Sequence, residues 1–201
     1  MKVLVVSAHP SSESFLGALR ECVLKEAHGN GHEVRHHNLY EEEFNPVFTS
    51  YERLNHVGNI DVKLQQLPEL RPYVESLQWC DTLVLVYPTW WSAQPAIMKG
   101  WIDRVFMNEV AWVLPEGAAR IKPLLTNVRQ LVVVTTHGSN KLVNSLQGES
   151  GKRIALRSIR LMFHPRVRTT WIGVYKMDRA SKSQRLQKLT KASARIRRAL
   201  R

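Results

Sequence analysis

Three short stretches hold residues whose types and spacing could do chemistry. The first, His9-Pro10-Ser11-Ser12-Glu13-Ser14-Phe15, sets three serines just before a run of helical periodicity. Hydroxyls and free N–H groups at a helix start can hold a phosphate, although Ser14 would serve equally as an ordinary N-cap. The stretch lacks both the Gly-rich dinucleotide fingerprint and the Gly-Lys-Ser/Thr of a P-loop, so it points neither to NAD held in a Rossmann crevice nor to ATP. The second, Pro88-Thr89-Trp90-Trp91-Ser92, offers flat apolar faces beside backbone donors, a surface suited to a planar heterocycle. Trp90 and Trp91 capping the core is the competing reading. The third, Thr135-Thr136-His137-Gly138-Ser139-Asn140, brings small residues and backbone donors suited to a ring edge, or forms a plain strand-to-helix turn.

Each stretch follows a segment that reads as a strand. Lys2–Ser7 is the first, Thr82–Tyr87 the third and Gln130–Thr135 the fourth; the third is apolar and β-branched without alternation, as in a strand buried on both faces. Val34–Leu39 and Arg168–Tyr175 supply the second and fifth. Pro88 is expected to stop strand pairing by removing a donor. Between strands, Phe15, Leu19, Cys22, Val23 and Ala27 mark one helix, ended by Gly29-Asn30-Gly31. Ile97, Trp101, Ile102, Val105 and Phe106 mark another, with Pro95 in its first turn. Residues 61–80 read as helix interrupted at Pro68 and Pro72, residues 109–127 as an irregular excursion, and residues 151–163 as helix. A closing helix over 181–200 is expected to turn Leu186, Leu189, Ile196 and Leu200 inward.

Alternating strands and helices predict one α/β domain over residues 1–201, a doubly wound five-stranded parallel sheet with helices on both faces. In the order 2-1-3-4-5 the three stretches lie side by side at the switch point, where open sheets bind ligands. Their joint placement carries more weight than any one of them.

Composition narrows the classes. Residues 152–201 hold 16 Lys/Arg against Asp178 alone, while residues 1–151 hold 13 Lys/Arg and 16 Asp/Glu, so the net charge of +12 resides in the last quarter. That segment suits a solvated helix face, an anionic membrane, an acidic partner or, as a third-ranked reading, nucleic acid. Cys22 and Cys80 form no disulfide framework or zinc spacing, and no metal site is expected. The absence of an apolar leader or span leads to the expectation of a cytoplasmic protein. His28, His32, His36 and His37 read as surface residues and Glu41-Glu42-Glu43 as a solvated turn.

On His9-Pro10 through Ser14-Phe15, Asn38-Leu39-Tyr40 with Phe44-Asn45-Pro46-Val47, Tyr87-Pro88-Thr89-Trp90-Trp91, the run Pro95 to Phe106, and Thr135-Thr136-His137-Gly138, the chain resembles the flavodoxin-like NAD(P)H:quinone oxidoreductases. The likeness covers residue 1 to about 175, and the Pro95–Phe106 run is its most diagnostic part. It implies FMN or FAD bound across the three loops, hydride transfer from NAD(P)H through the flavin to a quinone, and a homodimer. His9, Ser14, Phe15 and Leu16 would meet the phosphate side. Pro88, Thr89, Trp90, Trp91 and Ser92 would line the ring, with Trp91 stacking nearby. Thr136, His137, Gly138 and Ser139 would bond its polar edge.

The chain also departs from the pattern. Leu16 stands where Asn is frequent, Ser92 replaces an aromatic, and His137-Gly138 replaces Gly-Gly. Asn144 and Ser150 stand where the quinone reductases place the Tyr and His that stabilise the reduced flavin. Asn144, as a donor, and His137, if aimed at the ring edge, are the candidates left for that role. A weakly active flavoprotein that senses redox state for a membrane system is therefore the alternative reading. Trp112 reads either as an active-site contribution from a dimer partner or as local packing.

Overall fold

In the computed structural model, which describes residues 1–201, the three central strands are buried along nearly their whole length. They are β1 (Lys2–Ser7), β3 (Thr82–Pro88) and, later in the chain, β6 (Gln130–Thr136). Between β1 and β3 lie α1 (Phe15–Gly29), β2 (Glu33–Asn38), α2 (Ser50–Leu54), α3 (Ile60–Gln66) and α4 (Arg71–Trp79). After β3 come α5 (Ala96–Val105), the two-residue strands β4 (Trp112–Val113) and β5 (Lys122–Pro123), and then β6. The chain continues through α6 (Lys141–Leu146), α7 (Ser150–Arg153), β7 (Arg168–Val174) and α8 (Lys182–Ala199).

The five long strands pair in parallel in the order β2-β1-β3-β6-β7, which is the expected 2-1-3-4-5 arrangement with the hairpin β4–β5 inserted. Alternation along each strand feeds two cores. Leu4, Val6, Leu83, Leu85, Leu131 and Val133 face α4 and α5, while Val3, Val5, Val84, Val86, Val132 and Val134 face α1 and α8. A sheet with both faces covered has no polar side, which is why these strands read as continuous apolar runs. No helix is long and apolar enough to cross a membrane.

Several expectations are corrected. Pro88 does not stop the pairing with β6; as the last residue of β3 it stays in register with Thr136, and Thr89 N–H continues the ladder to Thr136 O at 2.9 Å. Its missing donor would point toward β1, which has already turned away, so no bond is lost. Pro72 lies in the first turn of α4 rather than interrupting a helix, a position where a proline costs nothing. The stretch 151–163 is not one helix: α7 passes into a π turn (Ile154–Ser158) and a 3-10 turn (Ile159–Met162). On α8, Leu186 is exposed, and the packed stripe begins at Leu189 and continues through Ala192, Ile196 and Leu200.

The diagnostic run on α5 has a packing explanation. A side chain at Gly100 would collide with the Pro46 backbone, so glycine lets the loop after β2 lie directly on the helix. Arg104, almost wholly buried, then clamps that loop: its Nε donates to Glu52 Oε1 at 2.7 Å, Nη1 to Asn45 O at 2.8 Å and Nη2 to Glu69 Oε1 at 2.9 Å. Glu42 is not merely solvated. It accepts from Asn38 N–H at 3.1 Å and pairs with His37 Nδ1 at 3.0 Å. Burial would raise its pKa, but hydrogen bonds from His37 and Tyr73 outweigh that and hold the carboxyl below its ordinary value. Trp112 packs locally against His56, ring centroids 5.2 Å apart.

Candidate functional site

The loops after β1, β3 and β6 leave the carboxyl ends of three adjacent strands, at the point where strand order reverses. The first loop is shaped by α1. Ser14 is its N-cap, its Oγ accepting from Gly17 N–H at 3.0 Å. A side chain at Gly17 would overlap Ser12 O, so glycine allows the loop to fold against the helix start. The N–H groups of Phe15 and Leu16 have no acceptor within the chain and stand at the positive end of a 15-residue helix, an arrangement that favours an anion. Leu16's side chain is buried in the core, so only its backbone can take part; Phe15 is half-buried. His9 Nδ1 accepts from Ser11 N–H at 3.0 Å and stiffens the loop.

The second loop is a tight turn. Trp90 and Ala93 exchange two backbone bonds of 3.1 and 3.0 Å, and the residues between them, Trp91 and Ser92, take φ of +49° and +62°. Two consecutive positive φ values mark a type I′ turn, which ordinarily takes Asn-Gly. Held by Trp and Ser, it stores roughly 1–3 kcal/mol of strain per residue. Strained geometry of this kind persists only where the surroundings hold it. Here Ser92 O accepts from Ser150 Oγ at 2.6 Å and from Gly151 N–H at 2.9 Å, while Gln94 Nε2 donates to Gly151 O at 3.3 Å. Trp91 stands fully exposed and Trp90 is partly so, which corrects the reading of both as caps on the core. Thr89 and Thr135 share a hydroxyl hydrogen bond of 2.9 Å that ties the second loop's base to the end of β6.

In the third loop, His137 turns aside from the rim. Its backbone extends the ladder to β7, N–H donating to Val174 O at 2.8 Å, and its ring stacks on Tyr175 with centroids 4.4 Å apart. Asn144 Nδ2 donates to Ser139 Oγ at 2.9 Å and to Asn140 O at 2.7 Å, so its Oδ1 is the acceptor facing His137 Nδ1 at 2.8 Å. That assigns the proton to Nδ1 and leaves Nε2 as a buried acceptor without a partner. Burial lowers the ring's pKa against the opposing effect of the Asn144 bond, so His137 is neutral at pH 7. Gly138 and Ser139 remain at the surface of the loop, Gly138 against the Asp178 carboxylate.

The structure thus brings the three loops to one rim, with Trp91 exposed and the His137 ring stacked on Tyr175. It does not leave Asn144 or Ser150 a donor to spare, because both are engaged within the chain. The brace linking Ser92, Gln94, Ser150 and Gly151 was not anticipated; it joins residues more than fifty positions apart and has no local sequence signal. Gly17 could have been found, since an isolated glycine inside a helical pattern marks close approach. No group of three or more His, Cys, Asp or Glu side chains is placed to hold a metal ion.

Comparison with known proteins agrees with this geometry. A family model described as flavodoxin-like fold matches residues 1–200. An uncharacterized NAD(P)H oxidoreductase of Haemophilus influenzae is 35% identical over 143 residues, covering 70% of this chain and 66% of that protein. A ribosyldihydronicotinamide dehydrogenase-like protein of Penicillium crustosum is 31% identical over 157 residues, covering 69% of this chain and 58% of that one. The chain spans roughly half to two thirds of the length of such curated relatives. Among solved structures, Smu.1420 of Streptococcus mutans UA159 superposes with a TM-score of 0.84 at 25% identity, covering 98% of this chain and 100% of that one. An FMN-dependent NADH-azoreductase of Bacillus anthracis, solved with FMN, shares the fold with a TM-score of 0.77 at 14% identity, covering 100% and 98%. By strand order, by the loops at the switch point and by a match along nearly its whole length, the chain belongs to the family with the flavodoxin-like fold.

Proposed function

We propose that the protein is a flavin-dependent NAD(P)H oxidoreductase that holds FMN across the three loops and reduces a quinone-type acceptor. The observation that carries this reading is the open start of α1, where Phe15 and Leu16 N–H lack acceptors beside Ser14, at the rim shared with the other two loops. The FMN-bound azoreductase with the same fold supports FMN over FAD, and the names of the relatives support NAD(P)H as reductant. When bound, the flavin supplies the hydride chemistry.

The chain's residues bind, orient and shield. Ser14, Phe15 and Leu16 would hold the phosphate through a hydroxyl and two N–H groups, with His9 fixing the loop. Pro88, Thr89 and Trp90 would line the ring, and Trp91 and Ser92, raised on their strained turn, would flank it. Backbone donors of Thr136, Gly138 and Ser139 would meet the polar edge, while His137 acts as an internal strut. An exposed apolar stretch, Val47, Leu54, Val57 and Val62, supports a homodimer, and the free thiols Cys22 and Cys80 suit a cytoplasmic setting. Purified protein supplied with FMN is expected to oxidise NADH or NADPH when a benzoquinone is present and to sediment as a dimer. Failure of both nicotinamides to reduce bound flavin would overturn the reading.

A second reading, a slow flavoprotein that reports redox state to a membrane partner, is favoured by one observation. Asn144 and Ser150 are consumed by internal bonds and offer the reduced flavin no stabilising donor. Loss of one such donor costs roughly 100-fold or more in rate at other enzymes, so turnover far below that of quinone reductases would favour it.

A further inference from the structure

The outer edge of the sheet carries a second site. Between β7 and α8 lies a cleft of about 390 Å³ lined by Gly173, Val174, Tyr175 and Ala192 and by Lys141, Lys176, Lys188, Lys191 and Arg195. The cations come from three separate places: the start of α6, the turn after β7 and the side of α8 that carries Lys188, Lys191 and Arg195, flanking its packed stripe. A solvated helix face would draw its charges from one helix alone, whereas these come from three elements and border one cleft. None of the five takes part in a salt bridge, and no acidic side chain lines the cleft. The acceptors their side chains do reach are neutral: Lys188 Nζ donates to Tyr175 O, one residue past β7, at 2.7 Å, and Arg195 Nη2 to Trp171 O, within β7, at 2.8 Å.

Five cations lining one cleft without an acidic side chain among them repel one another, and an anion seated among them relieves that repulsion. Four of the five are lysines, point charges that can surround a compact anion from several directions. A planar carboxylate is better matched by the fork of arginine. The size lies within the range of small-molecule sites. We propose that this cleft binds a phosphate-bearing small molecule of the diphosphate type, which holds whether or not the flavin reading does. Lys176 N–H bonds to Ser139 O at 2.9 Å, so the cleft abuts the third loop. The diphosphate therefore has two sources, a nicotinamide dinucleotide that reaches over from the rim or a separate effector.

The test is calorimetric titration of inorganic pyrophosphate into the full-length protein at low and physiological salt. A single saturable site is expected, weakening as salt rises. The double variant K176E/K191E is expected to bind about a hundredfold more weakly, since each of the two lost charge-assisted contacts is worth roughly tenfold. R120E/K122E, with the same change in net charge at exposed positions of the β4–β5 hairpin that do not line the cleft, should bind within about threefold of wild type. Equal weakening in both doubles, no saturable binding at low salt, or binding of duplex DNA without binding of pyrophosphate would overturn the site. Competition then separates the sources. Displacement of pyrophosphate by NADH or NADPH assigns the cleft to the dinucleotide, and simultaneous binding assigns it to an effector; both results require the site.

Discussion

Trp91 and His137 show how far a residue's role depends on where its backbone aims it. Trp91 sits at positive φ in full solvent, an arrangement that costs stability and buries nothing. Replacing it by glycine removes the steric conflict, so Trp91→Gly is expected to raise unfolding stability by about 0.5–1 kcal/mol in urea melts. The same variant should weaken FMN binding if the indole flanks the ring; a variant both less stable and unchanged in FMN affinity would remove the turn from the site. His137 gives a pH signature. Its folded pKa lies below the ordinary 6.5, so between those two values the unfolded chain binds the extra proton. Stability is therefore full above about pH 6.5 and is lost as pH falls toward the folded value. His36, likewise lowered chiefly by burial, adds to the same slope. His137→Gln, whose amide can still donate to Asn144, should flatten the fall in stability measured between pH 7 and 5. An unchanged slope would mean that His137 is not the buried neutral group described.

At the scale of elements, the buried ion pair of α5 with α2 decides whether the loop after β2 stays on α5. Arg104→Ala strands Glu52 in the interior and is expected to cost about 3–5 kcal/mol by chemical denaturation. A loss as small as that of a surface substitution would show the clamp to be idle. Elements whose order came from burial were legible in advance. β1, β3 and β6 are apolar because both faces are covered, and α5 kept its period because it packs along one stripe. Elements that follow tertiary geometry were not. α6 exposes Leu142, Val143 and Leu146 and so shows no inward stripe; only its Asn140 cap, accepting from Val143 N–H at 2.9 Å, marks it. The hairpin β4–β5 contains two residues per strand, too few for any period. The side chains of the site were hardest to place. His137 turns toward Tyr175, nearly forty positions away, and the Trp91 turn is held by Ser150 and Gly151.

Across the whole molecule, charge is unevenly divided. The rim collects loops from β1, β3 and β6 on a chain portion of near-balanced charge, while the basic last quarter gathers its cations along the β7 edge. The fold places them next to each other because α8 returns across β7 to pack on α1, sheathing one face of the sheet while its lysines overhang the edge. The claim on which the rest depends is that the start of α1 holds a phosphate whose attached ring lies across the other two loops. The direct test is an equilibrium fluorescence titration of flavin-stripped protein with FMN and, separately, with riboflavin, which lacks the phosphate. Saturable binding of FMN to one site per chain, with riboflavin weaker by about tenfold or more, is predicted from the value of charge-assisted bonds to the two open N–H groups. Equal affinity for the two flavins, or no saturable binding of either, would contradict it.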